Sequence, residues 1–307
     1  MRPYYFPAHL YLKKRREKEH NPGPYAGEAF TVPRDKLPGV RTRLYRPAAE
    51  KTEDLPETLP VLFNIHGGGW IFGDAEGVDL QSQYLANHMG CFVVNIDYRL
   101  LDEEPFPYPQ TEAADAAEYF LDHAAEYRID PEKAAVMGYS AGGHIAAGAA
   151  MLLRDRGVKL RSQILCYPFL DFIGFDFAAY GGFGGTKGKL FNRFTKKVFF
   201  EKMPMESPLL SPGNAASEAL RDLAPAVIVG CGAGDTLLPQ AARYAEKLKA
   251  AGVPTVYRVY EKGIHGFIEH NFKDDPAVFE KEDEQDTLMR DAVEFIKAQD
   301  PFGSDRK

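Results

Sequence analysis

Residues 134–155, AAVMGYSAGGHIAAGAAMLLRD, decide the fold of this chain. The run begins with short apolar residues typical of a buried strand and continues after Gly143 with alanines and leucines at helical spacing. Between them, Gly138-Tyr139-Ser140-Ala141-Gly142-Gly143 supplies the small residues that a strand and a helix need to approach closely at a sharp turn. The segment therefore predicts a strand, a tight turn with Ser140 at its tip, and a helix over 141–155.

Around this segment, short apolar runs alternate with helical patterns from residue 59 onward. The alternation is typical of a mostly parallel sheet covered by helices on both faces, so we predict a three-layer α/β fold in a single domain over 1–307. The predicted strands are 28–32, 40–46, 60–65, 91–97, 134–138, 162–167, 225–231 and 255–260. The predicted helices are 78–89, 111–127, 141–155, 238–250 and 286–298.

A serine at the tip of such a turn points its hydroxyl out of the sheet, and it needs a base because a free hydroxyl is almost un-ionised at neutral pH. His265 follows the last predicted strand, where the chain order serine, acid, histidine places the base in folds with this turn. His144 falls within the helix after Ser140, so we assign it a structural role. The other histidines outside the glycine run have no supporting context: His9, His20, His88, His123 and His270.

A carboxylate must orient the base and stabilise the imidazolium that forms during the reaction. Asp235 directly follows the predicted strand 225–231 and lies between Ser140 and His265 in chain order. Glu261, four residues before His265, is the competing acid. We predict a catalytic triad of Ser140, Asp235 and His265.

The run His66-Gly67-Gly68-Gly69-Trp70 follows the predicted strand 60–65 and offers backbone N–H groups without side chains. Fixed N–H donors stabilise the negative oxygen that forms when a hydroxyl attacks an ester carbonyl. A phosphate-binding loop would need Lys and Ser or Thr after the glycines, where Trp70 and Ile71 stand. The run predicts an oxyanion hole, with His66 holding the loop in shape.

These motifs resemble those of the hormone-sensitive-lipase-like esterases of the α/β-hydrolase superfamily. Further landmarks of that family follow in order: Asp97-Tyr98-Arg99-Leu100, Pro105-Phe106-Pro107, Tyr167-Pro168, Ser207-Pro208-Leu209-Leu210-Ser211 and His265-Gly266-Phe267. The resemblance implies an α/β-hydrolase fold and oxyanion donors at the N–H groups of Gly68, Gly69 and Ala141, with Gly67 shaping the loop. It also implies a cap built from residues 1–25 and the insertion 171–210.

The chain departs from the family pattern at Tyr139, where most members have an aspartate before the serine, and after Asp235, where a second aspartate often follows. Because Tyr139 replaces this aspartate, the expected edge of the site lacks a carboxylate. The specificity for the alcohol part of the ester therefore stays open. The insertion carries several aromatic residues followed by the glycine cluster 181–185, and bulky rings there predict a narrow pocket for short acyl chains. The alternative is that these rings form only the core of the cap. These aromatic residues are Phe172, Phe175, Phe177, Tyr180 and Phe183.

The charge balance excludes one class of partner. With 37 Lys and Arg against 44 Asp and Glu, the formal net charge is -7, which offers no electrostatic footprint for nucleic acid. The basic run from Lys13 to Arg16 is balanced by Glu17 and Glu19 nearby, so we predict it to be the solvated face of an N-terminal helix. Association into a homo-oligomer stays open.

No apolar stretch is long enough to predict a transmembrane helix, and the first residues lack the apolar core of a signal peptide. Cys91, Cys166 and Cys231 lie in separate apolar runs and are predicted to be buried, reduced thiols. These features predict a cytoplasmic protein without stable membrane association. No residue pattern indicates a metal or a cofactor.

The sequence thus predicts a carboxylic-ester hydrolase that cleaves a small-molecule, short-chain acyl ester through an acyl-enzyme intermediate on Ser140. Two alternatives are an amidase or peptidase using the same triad, and a non-catalytic small-molecule receptor on the same fold. A receptor would be expected to have lost a member of the triad, and all three candidate residues are present here.

Overall fold

The computed structural model describes residues 5–19, 23–49, 55–173, 196–200, 203–269 and 284–303. Within these residues, eight strands form one sheet in the order β1-β2-β4-β3-β5-β6-β7-β8. The strands are β1 Glu28–Val32, β2 Val40–Tyr45, β3 Leu59–Ile65, β4 Phe92–Asp97, β5 Ile129–Tyr139, β6 Ser162–Cys166, β7 Ala226–Cys231 and β8 Thr255–Tyr260.

The described helices lie between these strands and at the two ends of the chain. They are α1 Tyr5–Glu19, α2 Asp79–Met89, α3 Tyr108–Asp122, α4 Ala124–Tyr127, α5 Ala141–Asp155, α6 Ser217–Leu220, α7 Leu238–Ala250 and α8 Glu284–Ala298. Short 3₁₀ turns occur at Glu76–Val78 and Pro212–Asn214, and Lys196–Phe200 form a π-helical turn.

The central strands β3, β4, β6 and β7 are buried on both faces of the sheet, and their side chains alternate between two apolar clusters. Along β3, Val61, Phe63 and Ile65 pack with residues of α3, α5 and α7 on one face, and Leu62 packs with residues of α2 and α8 on the other. The predicted sheet with helices on both faces is therefore confirmed, and the chain forms a three-layer α/β structure.

Strand direction determines where the predicted site residues meet. From β4 through β8 the neighbouring strands are parallel, whereas β2 runs antiparallel to both β1 and β4. The carboxyl ends of β3, β5, β7 and β8 therefore lie at the same edge of the sheet. Residues 66–70, which we call the glycine loop, follow β3. Ser140, Asp235 and His265 follow β5, β7 and β8, so the topology brings all four together.

Most element boundaries agree with the sequence prediction, and α5 and α7 agree residue for residue. Two elements differ more: β5 begins at Ile129 rather than 134, and α3 begins at Tyr108 rather than 111. The α3 helix ends at Asp122, and His123 separates it from α4. Pro109 is compatible with the first turn of a helix, where its missing N–H has no intrahelical partner to lose. The prolines near the start of α3 therefore do not prevent the helix from beginning at Tyr108.

The basic run in α1 is not a solvated face throughout, and this part of the sequence prediction is wrong. Arg16 donates two hydrogen bonds to the buried Asp102 carboxylate, at 2.9 and 2.8 Å, and one to the Ile71 carbonyl at 3.0 Å. The Arg15 guanidinium lies 4.6 Å from the centroid of the Phe72 ring. The helix is therefore attached to the segment that follows the glycine loop.

Only part of the predicted cap lies within the described residues. These include α1, residues 171–173, the turn 196–200 and residues 203–210. Phe175, Phe177, Tyr180, Phe183 and the glycine cluster 181–185 lie outside them, so a cap made from 1–25 and 171–210 stays a prediction. The three cysteines are buried, and none of the described helices is long and apolar enough to cross a membrane.

Candidate active site

Ser140 lies at a strained turn between β5 and α5. Its φ of 52° and ψ of −114° place it in a region that residues with a side chain seldom adopt. Hydrogen bonds hold this conformation: the Ser140 N–H donates to the Cys166 carbonyl at 3.0 Å, and the Ser140 carbonyl accepts from the Phe169 N–H at 3.1 Å. The side chain is thereby presented at the carboxyl edge of the sheet.

The three predicted triad residues form one hydrogen-bonded chain. His265 Nε2 lies 2.9 Å from Ser140 Oγ, and His265 Nδ1 lies 3.0 Å from Asp235 Oδ2. The second oxygen of Asp235 accepts the Leu237 N–H at 2.9 Å, so the carboxylate is fixed on both sides. With Nδ1–H donated to Asp235, Nε2 has a free electron pair for the serine proton. The competing acid, Glu261, is exposed.

The loop that carries His265 is held by contacts on several sides. The Ile264 N–H donates to Gln285 Oε1 at 3.0 Å, and the Ile264 carbonyl accepts from the Cys231 thiol at 3.4 Å. The Tyr167 ring packs against the imidazole with 5.1 Å between ring centroids. These contacts restrict the imidazole to the region between Ser140 and Asp235.

The glycine loop after β3 turns sharply through left-handed backbone conformations. Gly68 has a φ of +111° and Gly69 a φ of +61°. A side chain at Gly68 would overlap the Phe72 carbonyl, whereas the space beside Gly69 is open to at least 4 Å. The Gly68 carbonyl accepts the Phe72 N–H at 2.9 Å, which closes the turn. The turn therefore requires glycine at position 68, while the space beside Gly69 is unoccupied.

Two hydrogen bonds fix the peptide unit that carries the Gly68 N–H, one of the predicted oxyanion donors. The Gly67 carbonyl accepts from His66 Nδ1 at 2.8 Å and from the Tyr98 hydroxyl at 3.3 Å. This carbonyl shares a peptide unit with the Gly68 N–H, so the two bonds orient and polarise that donor. Ala141 is the first residue of α5, where helical N–H groups lack intrahelical partners and the helix dipole favours negative charge.

Close backbone packing joins the glycine loop to the turn at Ser140. A side chain at Gly142 would overlap the Ile65 and His66 carbonyl groups, so the first turn of α5 lies directly against the chain that enters the loop. The structure thus brings Ser140, His265 and Asp235 together, and it places the glycine loop beside them. No group of His, Cys, Asp and Glu side chains suited to hold a metal ion occurs within the described residues.

Trp70 directly follows the glycines, and no role was predicted for it from the sequence. Its ring packs against Phe169, Phe172 and Phe200, with centroids 4.9, 5.2 and 5.4 Å away, and we call these four residues the aromatic cluster. Trp70 Nε1–H donates to His144 Nδ1 at 3.0 Å. The signal that could have identified Trp70 is the position of the single tryptophan directly after the glycines.

His144 supports this cluster from within α5. Its Nε2–H donates to the Leu210 carbonyl at 3.0 Å while Nδ1 accepts from Trp70. Burial lowers the pKa of His144 from 6.5 to about 4, so the ring stays neutral and can accept the Trp70 proton at neutral pH. Its contacts match the structural role expected from the sequence.

Tyr139 does not lie at the edge of the site, and that expectation is wrong. It is fully buried among the residues that pack against α2 and α8, and its hydroxyl accepts a hydrogen bond from Gln81. Tyr139 is the last residue of β5 and lies on the α2 and α8 face of the sheet, whereas Ser140 is in the turn that follows the strand. The specificity for the alcohol part of an ester therefore does not depend on direct contact with Tyr139.

Comparisons with known proteins agree with this architecture. Residues 62–269 match the model of a family described as having the alpha/beta hydrolase fold. The arylesterase of Saccharolobus solfataricus is 31% identical over 241 residues, which are 74% of this chain and 72% of that protein. An acetyl esterase of Salmonella schwarzengrund is 29% identical over 237 residues, 76% of this chain and 70% of that protein. The solved structure of a Pyrobaculum calidifontis esterase superposes with a TM-score of 0.73 at 31% identity, covering 97% of this chain and 90% of that one.

The lowered pKa of His144 predicts a loss of stability in mild acid. Below pH 6.5 the unfolded chain binds a proton at this ring, whereas the folded protein does not until the pH reaches about 4. The free energy of unfolding should therefore fall as the pH drops through this interval, by about 3 kcal/mol in total from this residue. Urea denaturation at several pH values measures the slope.

His144→Gln keeps a donor for the Leu210 carbonyl but does not titrate. We expect it to be less stable than the wild type at neutral pH and to have a flatter dependence of stability on pH. Phe120→Ala, which removes a buried ring without a titratable group, serves as a control that lowers the stability but keeps the wild-type slope. An equal slope in His144→Gln and the wild type would contradict the assignment.

Proposed function

The chain belongs to the α/β-hydrolase family matched by residues 62–269, and on that premise we propose that it hydrolyses short-chain acyl esters through Ser140, His265 and Asp235. It is a serine carboxylesterase, as its esterase relatives indicate. The observation that carries the proposal is the hydrogen-bonded chain from Ser140 Oγ through the His265 ring to the Asp235 carboxylate.

The proposed reaction begins with attack of Ser140 Oγ on the ester carbonyl while His265 Nε2 takes the hydroxyl proton. Asp235 holds Nδ1–H and stabilises the imidazolium. The carbonyl oxygen becomes negative and receives hydrogen bonds from the N–H groups of Gly68, Gly69 and Ala141. A donor of this kind contributes about 2.7–4 kcal/mol to lowering the barrier.

Collapse of this tetrahedral intermediate breaks the bond to the alcohol, which leaves with the proton that His265 had taken. The acyl group stays on Ser140 as an ester. A water molecule then repeats the sequence, with His265 as its base, and releases the carboxylic acid and the free serine.

The aromatic cluster supports a preference for short acyl chains. Its rings fill the volume next to the glycine loop, where they pack on one another and are nearly inaccessible to solvent. An extended acyl chain would need an apolar groove, with each buried CH₂ contributing about 0.8 kcal/mol to binding. The relative from Salmonella schwarzengrund is named an acetyl esterase, which agrees with a preference for short acyl chains.

The triad assignment predicts the effect of single substitutions. Ser140→Ala and His265→Ala should each lower kcat for p-nitrophenyl acetate by about 10⁴-fold or more, because the triad acts as one unit. Asp235→Asn should also be severely impaired, since it loses the charge and favours the wrong imidazole tautomer. Glu261→Gln is the matched control for the acid and should keep near-normal activity. Near-normal turnover in Ser140→Ala, or greater damage from Glu261→Gln than from Asp235→Asn, would refute the assignment.

Acyl-chain preference is tested with p-nitrophenyl esters from acetyl to dodecanoyl. We expect kcat/KM to be highest from acetyl to butyryl and to fall for longer chains. Phe172→Ala should raise activity on octanoyl relative to acetyl esters because it opens space beside Trp70. Phe120→Ala removes a buried ring that packs against Phe30 and Phe92, and it should leave the preference unchanged. A steady rise in kcat/KM up to dodecanoyl, or a jump on emulsified substrate, would contradict the proposal.

A further inference from the structure

Glu269 is a buried acid that contacts the glycine loop. Its side chain is 2% exposed, and its Oε2 accepts the Gly67 N–H at 2.8 Å. The two residues are 202 positions apart in the chain. A hydrogen bond that is shielded from water is stronger than an exposed one, so this contact holds the Gly67 N–H in a fixed direction.

Glu269 also belongs to the loop that carries the general base. It lies four residues after His265, and two successive turns connect them. In these turns the Phe267 N–H donates to the Ile264 carbonyl at 3.1 Å, and the Glu269 N–H donates to the Gly266 carbonyl at 3.0 Å. The short connection restricts how far Glu269 can move independently of the imidazole.

Hydrogen bonds fix the peptide units on both sides of Gly67. Its N–H is fixed by Glu269, and its carbonyl is fixed by His66 and Tyr98. A side-chain carbon at Gly67 would lie 2.5 and 2.8 Å from the two carboxylate oxygens, so the carboxylate rests directly on the backbone. The next N–H along the chain is that of Gly68, and its direction follows from the orientation of Gly67.

Three buried tyrosine hydroxyl groups interact electrostatically with the Glu269 carboxylate. Burial raises the pKa of Tyr98, Tyr139 and Tyr167 well above the ordinary value, and the negative charge of Glu269 raises each of them further. All three therefore stay neutral. Tyr167 also packs against the His265 ring, so one of these three tyrosines contacts the general base directly.

We propose that Glu269 is a positioning residue for ester hydrolysis, which joins the loop of the general base to the loop of the oxyanion hole through its hydrogen bond to the Gly67 N–H. The proposal rests on the proposed function of Ser140 and His265. Glu269 acts through Gly67 and does not touch the substrate. Its loss should therefore weaken the stabilisation of the oxyanion while substrate binding in the ground state changes little.

The test compares Glu269→Ala, which removes the acceptor, with Glu269→Gln, which keeps an acceptor oxygen at the same reach. We expect Glu269→Ala to lower kcat for p-nitrophenyl acetate about tenfold or more with KM within about threefold. Its affinity for a trifluoromethyl ketone, which forms a tetrahedral adduct with the serine, should fall by a similar factor. Glu269→Gln should stay within about threefold of the wild type in both measurements.

Asp79 provides a matched control. It is a buried acid whose carboxylate accepts the Ala26 and Gly27 N–H groups at 2.7 and 3.0 Å, away from the glycine loop. Asp79→Ala should lower the melting temperature but leave kcat near the wild-type value when measured well below that temperature. If Glu269→Ala does not fold, Glu269→Asn replaces it, because its amide is one carbon shorter and cannot reach Gly67.

Three results would overturn the proposal: a kcat within threefold of the wild type in Glu269→Ala or Glu269→Asn, a rise in KM without a fall in kcat, or equal losses in Glu269→Ala and Glu269→Gln. If Ser140→Ala keeps normal activity, the proposed function fails and this proposal fails with it. If hydrolysis depends on Ser140 but not on Glu269, only the positioning role is refuted.

Discussion

The close approach of the first turn of α5 to the end of β3 is the contact on which the site depends. Gly142 lies against the Ile65 and His66 carbonyl groups, where any side chain would force the helix away. This contact places the turn at Ser140 next to the glycine loop, and the parallel strands β7 and β8 then bring Asp235 and His265 to the same edge. The strained φ of Ser140 is maintained because its N–H and carbonyl are both bonded to the neighbouring strand and loop.

The buried polar side chains around the site bind different parts of the structure. Asp235 contacts the imidazole directly, whereas Asp102 accepts hydrogen bonds from Arg16 of α1, which also donates to the Ile71 carbonyl after the glycine loop. His144 is neutral because burial lowers its pKa, and it anchors Trp70 rather than transferring a proton. Each of these groups forms hydrogen bonds that offset the cost of its burial.

Much of this arrangement can be predicted from the sequence, because the strands and helices are strongly periodic and the order serine, acid, histidine follows the order of strands. Contacts between distant segments cannot be predicted in this way: Glu269 with Gly67, and Arg16 with Asp102, have no local pattern that pairs them. The sequence also misplaced Tyr139, because proximity to Ser140 in the chain does not reveal which face of the sheet receives the side chain. Trp70 was overlooked because its role depends on rings contributed by other segments.

In the proposed mechanism, His265 activates Ser140 as a nucleophile. Labelling with a fluorophosphonate tests this activation without turnover, because the reagent forms a stable adduct with an activated serine. We expect one adduct per chain, located on Ser140 by mass spectrometry of the digested protein. The rate of labelling should fall by orders of magnitude in folded His265→Ala. Labelling at another residue, or an undiminished rate in His265→Ala, would refute this mechanism.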